Sequence, residues 1–267
     1  MILLLLVHLF VHLIVNARNI YEINENSTSK NLVYGDVSKE HSYNRWPKNV
    51  VPYKISSAYT SYEEQINNLH CYGRSAIQSA LNELQSRSCF KFPKRRKQKD
   101  YIFIDKKDGC YSFIGRVTGK QLVSLGSGCL SRSTIQHEVM HALGVEHEHQ
   151  RPDRDKYITV RYENVEAGRH SNFEKLSKKY ITTKGLSYDY YSIMHYDSRA
   201  FGRHINNVKM ETMVPKKAGV YLGKNEHLTG LDLKKLRILG KCPNYGKSRK
   251  QRKGRGKKRT NKKKKRH

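Results

Sequence analysis

Apolar and polar positions change register several times along this chain, and each register predicts an element. Residues Met1 to Val15 are almost wholly Leu, Ile, Val and Phe, broken by His8 and His12. That run is short for a membrane span, and Val15-Asn16-Ala17 then has the small-residue spacing of a signal-peptidase site, predicting cleavage before Arg18. Residues 18–44 are polar and aperiodic, a short leader segment rather than a domain. Val50 to Ile55 reads as a strand, with Pro52 suggesting an edge because it cannot donate to a ladder. Ala76, Ile77, Ala80, Leu81 and Leu84 recur at helical spacing, giving an amphipathic helix that ends before Cys89. Strand-like runs follow at Cys89–Phe92, Tyr101–Asp105, Tyr111–Gly115 and Gln121–Leu125, with the basic stretch Lys94 to Lys99 read as a solvated hairpin tip between two of them. Ser133 to Leu143 reads as a helix, with Ser133 and Gln136 placed as a capping box and Gly144 as a left-handed C-terminal cap. A long polar, Tyr-rich stretch precedes Leu231, Leu233, Leu236 and Leu239, which predict a last helix before Cys242. Strands and helices are mixed, and no repeat recurs.

Composition sharpens this picture. The 267 residues carry 52 Lys+Arg against 23 Asp+Glu, a net charge of +29. Residues 246–267 hold 14 of those cations and no acid, leaving +15 on the first 245 residues. Such a tail cannot bury apolar surface and is expected to be disordered. The remainder, with 18 Tyr and 7 Phe, calls for one core of roughly 200 residues, which excludes a collagen-like or wholly disordered chain. No later apolar run approaches the roughly 20 residues of a span, which excludes a multi-pass membrane protein. The chain therefore divides into a signal peptide (1–17), a short pro-segment (18–44), a globular domain (45–245) and a basic tail (246–267). Secretion turns Cys71, Cys89, Cys110, Cys129 and Cys242 into potential disulfide partners, with at least one left over. It also marks Asn26-Ser27-Thr28 as a glycosylation acceptor. A polycation suits nuclear import or nucleic acid, but a secreted chain argues against both and favours extracellular polyanions such as sulfated glycans.

The chemistry is concentrated in His137-Glu138-Val139-Met140-His141. Positions i and i+4 share a helix face, so both imidazoles can reach one metal ion, and Glu138 can project toward a water bound there. Gly144 lets the backbone turn away and return His147 to the same ion. Three neutral His ligands with one open position make the arrangement of a catalytic zinc site, one Zn2+ per chain, whereas structural sites are closed by four protein ligands. The two-His motif alone arises by accident in many proteins, but the third His and the turn glycine at fixed offsets do not. Downstream, Ser192-Ile193-Met194-His195-Tyr196 matches the Met-turn that accompanies such sites.

From His137 to Asp155, with Glu148, Arg151, Asp153 and Arg154 after the third His, the chain resembles the astacin family of metzincin endopeptidases. Arg45-Trp46-Pro47 with Val50-Val51-Pro52-Tyr53 fits as well. So do Tyr188-Asp189-Tyr190-Tyr191, then Ala200-Phe201, Thr212 and Pro215, and the stretch from Gly223 through Leu228 to Cys242. The resemblance spans about residues 45–242. It implies an α+β fold, a two-part zincin with a twisted mixed sheet and active-site helix above an irregular C-terminal half. It further implies a secreted endopeptidase acting on extracellular proteins or peptides through a zinc-bound water, with His137, His141 and His147 as ligands, Glu138 as general base, Tyr196 supporting the oxyanion and Met194 as a hydrophobic floor. By the same comparison Cys89 pairs with Cys242 and Cys110 with Cys129. Cys71 is left as a buried thiol or an intermolecular bridge. Val33-Tyr34-Gly35-Asp36 resembles the family's pro-segment motif, in which the aspartate occupies the open metal position, and the mature N-terminus falls within 37–44. Glu148 stands where the family's acid meets that new N-terminal region. Lys216 and Lys217, beside Pro215, are expected to favour acidic residues just after the scissile bond.

Overall fold

The computed structural model describes residues 45–60, 69–178, 183, 185–223 and 225–243. The signal peptide, the pro-segment with Asn26 and Asp36, and the basic tail lie outside these, as does the Cys71 side chain.

Four strands form one sheet in the order β1-β2-β4-β3: β1 (Tyr53–Ile55), β2 (Tyr101–Asp105), β3 (Cys110–Ser112) and β4 (Lys120–Leu125). The first three in space run parallel, and β3 is antiparallel to β4. Period-two alternation gives the sheet two different faces. Ile102, Ile104, Val123 and Leu125 are wholly buried on one, while Lys54, Tyr101, Phe103 and Lys120 point the other way. Helix α1 (Leu69–Arg87) buries Ile77, Ala80, Leu81 and Leu84 in the same core. Helix α2 (Arg132–Leu143) adds Ile135, Val139 and Met140.

Three expectations need correction. Cys89–Phe92 is no strand: Lys91 and Lys94 make only isolated parallel bridges to Val50 and Tyr53. Lys94–Lys99 is therefore not a hairpin tip. It is the crossover between a segment on the outer side of β1 and strand β2 on its inner side. The cap of α2 is Ser131, whose hydroxyl accepts from the Thr134 amide at 3.1 Å. Ser131 stands three residues before that amide, the reach an N-cap side chain needs, whereas Ser133 already lies inside the helix. Gln136 instead donates to Glu83 on α1 at 3.0 Å.

The second half is mostly irregular, as expected. Strand β5 (Ile158–Val160) pairs with β8 (Met213–Pro215), and β6 (His204–Ile205) with β7 (Val208–Lys209). Ile158, Phe173, Tyr188 and Met213 form a second, smaller core. Helix α3 (Gly230–Leu239), closed at its start by a Thr229–Asp232 capping box, returns Leu233, Leu236 and Leu239 to the first core. Both disulfides pair as the resemblance implied, Cys89 with Cys242 and Cys110 with Cys129. Cys89 follows α1 and Cys242 follows α3, so the first bridge closes a separation of 153 residues. Replacing both Cys89 and Cys242 by Ser should lower the unfolding free energy by about 2–4 kcal/mol. Urea denaturation measures this, and an unchanged midpoint would show that the bridge contributes nothing.

Candidate active site

His137 and His141 stand one turn apart on α2. Gly144 then takes the left-handed conformation (φ 106°), so the chain leaves the helix sharply and brings His147 back beside them. The three Nε2 atoms lie 3.0, 3.2 and 3.2 Å apart. Behind each ring, Nδ1 meets an oxygen: Ile193 O at 2.6 Å, Val145 O at 2.7 Å and Gln150 Oε1 at 3.3 Å. A proton at Nδ1 serves each of these bonds and leaves Nε2 as a bare lone pair. Three lone pairs facing one another repel, and a cation among them removes the repulsion. Nitrogens held about 2.0–2.1 Å from one tetrahedral ion stand about 3.3 Å apart, close to what is seen. Burial also lowers the pKa of all three, keeping them neutral as ligands must be. The residues present fit Zn2+, and no fourth His, Cys, Asp or Glu joins the cluster among the described residues.

Glu138 is buried next in sequence to His137, and one of its oxygens, Oε2, has no hydrogen-bond partner among the described residues. Burial pushes its carboxyl up to about 8. A dication nearby would oppose that rise. Glu138, the three His and Tyr196 line one cleft of about 560 Å³ whose far wall includes Phe201 and Lys209. Tyr196 stacks on His149 (ring centroids 4.0 Å apart) and lies 4.4 Å from the His147 ring. Met194 is wholly buried in the first core, and its carbonyl accepts from the Glu148 amide at 2.9 Å.

Glu148, Arg151 and Lys235 are each about 1% exposed, yet all carry charge. Lys235 of α3 donates to Glu148 Oε2, Arg151 Nη1 donates to Oε1 at 3.0 Å, and the Asp189 amide donates to the same oxygen at 2.8 Å. Burial alone would raise the Glu148 carboxyl, but the two cations outweigh it and hold it below the ordinary carboxylate range. The N-terminal region that the resemblance brings to this acid, within 37–44, lies outside the described residues.

Several of these residues escaped sequence reasoning. Nothing local singles out Lys235 among the helix cations, and Arg151 stands in the sequence only as part of the motif. Asp232 accepts from Ser192 Oγ at 2.5 Å and from the Ile193 amide at 3.2 Å, so it orients the carbonyl behind His137. The Thr229-x-x-Asp232 spacing could have flagged it as a cap, but not as a support for the Met-turn. Lys216 and Lys217 do not line the cleft. Lys216 donates to the Asp155 carbonyl at 2.6 Å, and the cleft's cation is Lys209, with Glu166 and Asp197 on the same lining.

A two-part α+β domain with a His-x-x-x-His helix, a third His beyond a glycine turn and a buried Met-turn defines a zincin of the metzincin type. Residues 38–239 match the family model for astacin, a peptidase family. Zinc metalloproteinase nas-12 of Caenorhabditis elegans is 45% identical over 221 residues, which are 82% of this chain and 55% of that protein. Zinc metalloproteinase nas-4 of the same organism is 42% identical over 204 residues, 75% of this chain and 60% of that one. Among solved structures, high choriolytic enzyme 1, a hatching enzyme zinc-protease from Oryzias latipes, superposes with a TM-score of 0.63 at 32% identity, covering 77% of this chain and 94% of that one. The chain belongs to the astacin family. It matches between about half and three-fifths of the length of these two curated relatives.

Two outcomes are expected. Lys235→Met should cost about 3 kcal/mol, the lower end for breaking a buried pair, because Arg151 still faces Glu148. The double variant Glu148→Gln/Lys235→Met should regain part of that loss, and urea midpoints showing the two costs simply adding would refute the pairing. The metal-free protein should also lose stability on acidification. His137, His141, His147, His149 and His195 all have lowered pKa values in the fold, chiefly through burial. Unfolded imidazoles take up protons as pH falls through about 6.5, so the stability is present above that pH and lost below it. Glu138 and Asp189, both raised by burial, act in the opposite sense but are outnumbered. Chelator-treated protein should therefore unfold at lower urea at pH 5.5 than at pH 6.5, and equal midpoints would contradict the burial of the cluster.

Proposed function

We propose that this protein is a secreted zinc endopeptidase hydrolysing peptide bonds in extracellular proteins. The observation that carries the reading is an oxygen of Glu138 with no partner among the described residues, buried in the same cleft as three converging imidazole nitrogens. A purely structural site has no use for that carboxylate. His137, His141 and His147 would hold Zn2+, which when bound supplies Lewis acidity and lowers the pKa of water to about 7. Glu138 takes the proton of the attacking water and delivers it to the leaving amine nitrogen as the C–N bond breaks. Tyr196, its ring fixed against His147 and His149, turns its phenol toward the oxyanion. Asp232, through Ile193, holds the His137 ring, and Lys235 with Arg151 holds Glu148 in place behind the third His.

Secretion rests on the leader 1–17 and is supported by the two disulfides, which belong to an oxidising compartment. The pro-segment 18–44 would keep the precursor latent through Asp36, and the tail 246–267 would retain the enzyme on polyanions. Cleavage of a mixed peptide library tests the central claim. Activity lost on chelation and restored by zinc is expected, with Glu138→Gln at least about 100-fold slower while still binding zinc. No cleavage by folded, zinc-loaded protein free of its leader would overturn it.

A further inference from the structure

Residues 91–99 carry six cations, Lys91, Lys94, Arg95, Arg96, Lys97 and Lys99, and no acid. All six are exposed. The loop is nonetheless built. Arg95 donates through its amide to the Tyr53 carbonyl at 2.7 Å and through Nε to the Gln98 carbonyl at 3.0 Å. The Gln98 side chain accepts from the Arg96 amide at 2.7 Å.

The strand register brings two more cations to the same place. On the sheet face turned away from the helices, Lys54 stands in register with Phe103, and Lys120 with Tyr101. Lys120 Nζ lies 4.2 Å over the Phe103 ring, and the Arg95 guanidinium 4.0 Å over the Tyr101 ring. None of these eight cations forms an ion pair with a carboxylate among the described residues. The nearest acid in sequence, Asp100, is occupied by Arg116 at 2.6 Å and the Gly119 amide at 2.8 Å. Like charges gathered within about a Debye length repel one another, which costs stability until a polyanion neutralises them.

We infer that this sheet face, with the 91–99 crossover, is a binding site for a linear sulfated glycan, separate from the basic tail. The chemistry favours that class over nucleic acid. Arg95 stands over one face of Tyr101 and Lys120 over one face of Phe103, so each ring offers a base less room to stack. Two disulfides also place the chain where sulfated glycans are found. The strand order gives the site its use. β1 is one edge of the sheet, while β3, which contributes Cys110, Tyr111 and Ser112 to the cleft, is the other. Three strand spacings of about 4.8 Å separate them. The 91–99 crossover lies on the β1 side and Lys120 lies at the start of β4, short of the Val123–Leu125 stretch that pairs with β3, so a glycan held there leaves the cleft open, and the inference stands whether or not the cleft is catalytic.

The test uses full-length protein and heparin as the probe. Lys94→Gln/Arg96→Gln/Lys97→Gln/Lys99→Gln is compared with Lys156→Gln/Lys178→Gln/Lys217→Gln/Lys234→Gln, which removes four exposed charges elsewhere. At about 0.15 M salt the first set should weaken heparin binding about tenfold and flatten its salt dependence, with the second set nearly unchanged. In the unaltered protein, heparin should shield Lys54, Lys94, Lys97, Lys99 and Lys120 from acetylation, but not Lys156 or Lys217. This arm does not depend on any variant folding. Equal losses for the two variants, no selective shielding, or full binding by the first variant that vanishes on truncation after Tyr245 would each overturn the site. Duplex DNA that binds as tightly as heparin and shields the same lysines would overturn the glycan assignment.

Discussion

Three unprotonated imidazole nitrogens within 3.2 Å of one another are an arrangement that no chain adopts without support, and much of this fold is that support. Each ring must be held from behind by an acceptor at Nδ1, and the acceptors come from different stretches of chain. Val145 lies just past the glycine turn, Gln150 in the following 3-10 turn, and Ile193 in the Met-turn more than fifty residues on. The last of these depends in turn on Asp232 at the start of the final helix. Helix α3, anchored in the first core by its leucines and by the Cys89–Cys242 bridge, thus reaches back to the three-His cluster through two successive hydrogen bonds.

Two glutamates show how environment assigns different roles to one side chain. Glu138 is buried with one oxygen that has no partner among the described residues, and burial raises its carboxyl, a rise that a bound dication would oppose. Its charge is left to whatever occupies the cleft. Glu148, ten residues along, is buried more completely but faces Lys235 and Arg151, so it stays ionised. It serves to fasten the turn after His147 to α3. Buried ion pairs are weak contributors to stability as a rule, but breaking one partner leaves an uncompensated charge. The geometry is accordingly exacting about which residues fill those positions.

Charge outside the core is distributed with equal consequence. The cleft carries both signs, Glu166 and Asp197 with Lys209, whereas the 91–99 segment outside β1 carries six cations and no acid. Strand order puts the 91–99 segment outside β1 and the cleft-lining β3 at opposite sides of the sheet.

The helices, the convergence of three histidines, the glutamate beside them and the Met-turn were legible in the sequence, because their signals are local: helical periodicity, the i, i+4 spacing of His137 and His141, and the backbone freedom of Gly144. Ser131 was missed by two residues because Ser131 and Ser133 offer similar caps and only the helix start chooses between them. Cys89–Phe92 has strand-like composition, yet the sheet closes on β1 with only bridges beyond it. What tertiary structure alone decided is everything that depends on pairs distant in sequence. Lys235 became the partner of Glu148 and Asp232 the support of Ile193, while Lys216 was carried away from the cleft to the Asp155 carbonyl. A side chain's type states what it can bond to. Only the packed chain brings the partner within the roughly 3 Å at which that capacity becomes an interaction.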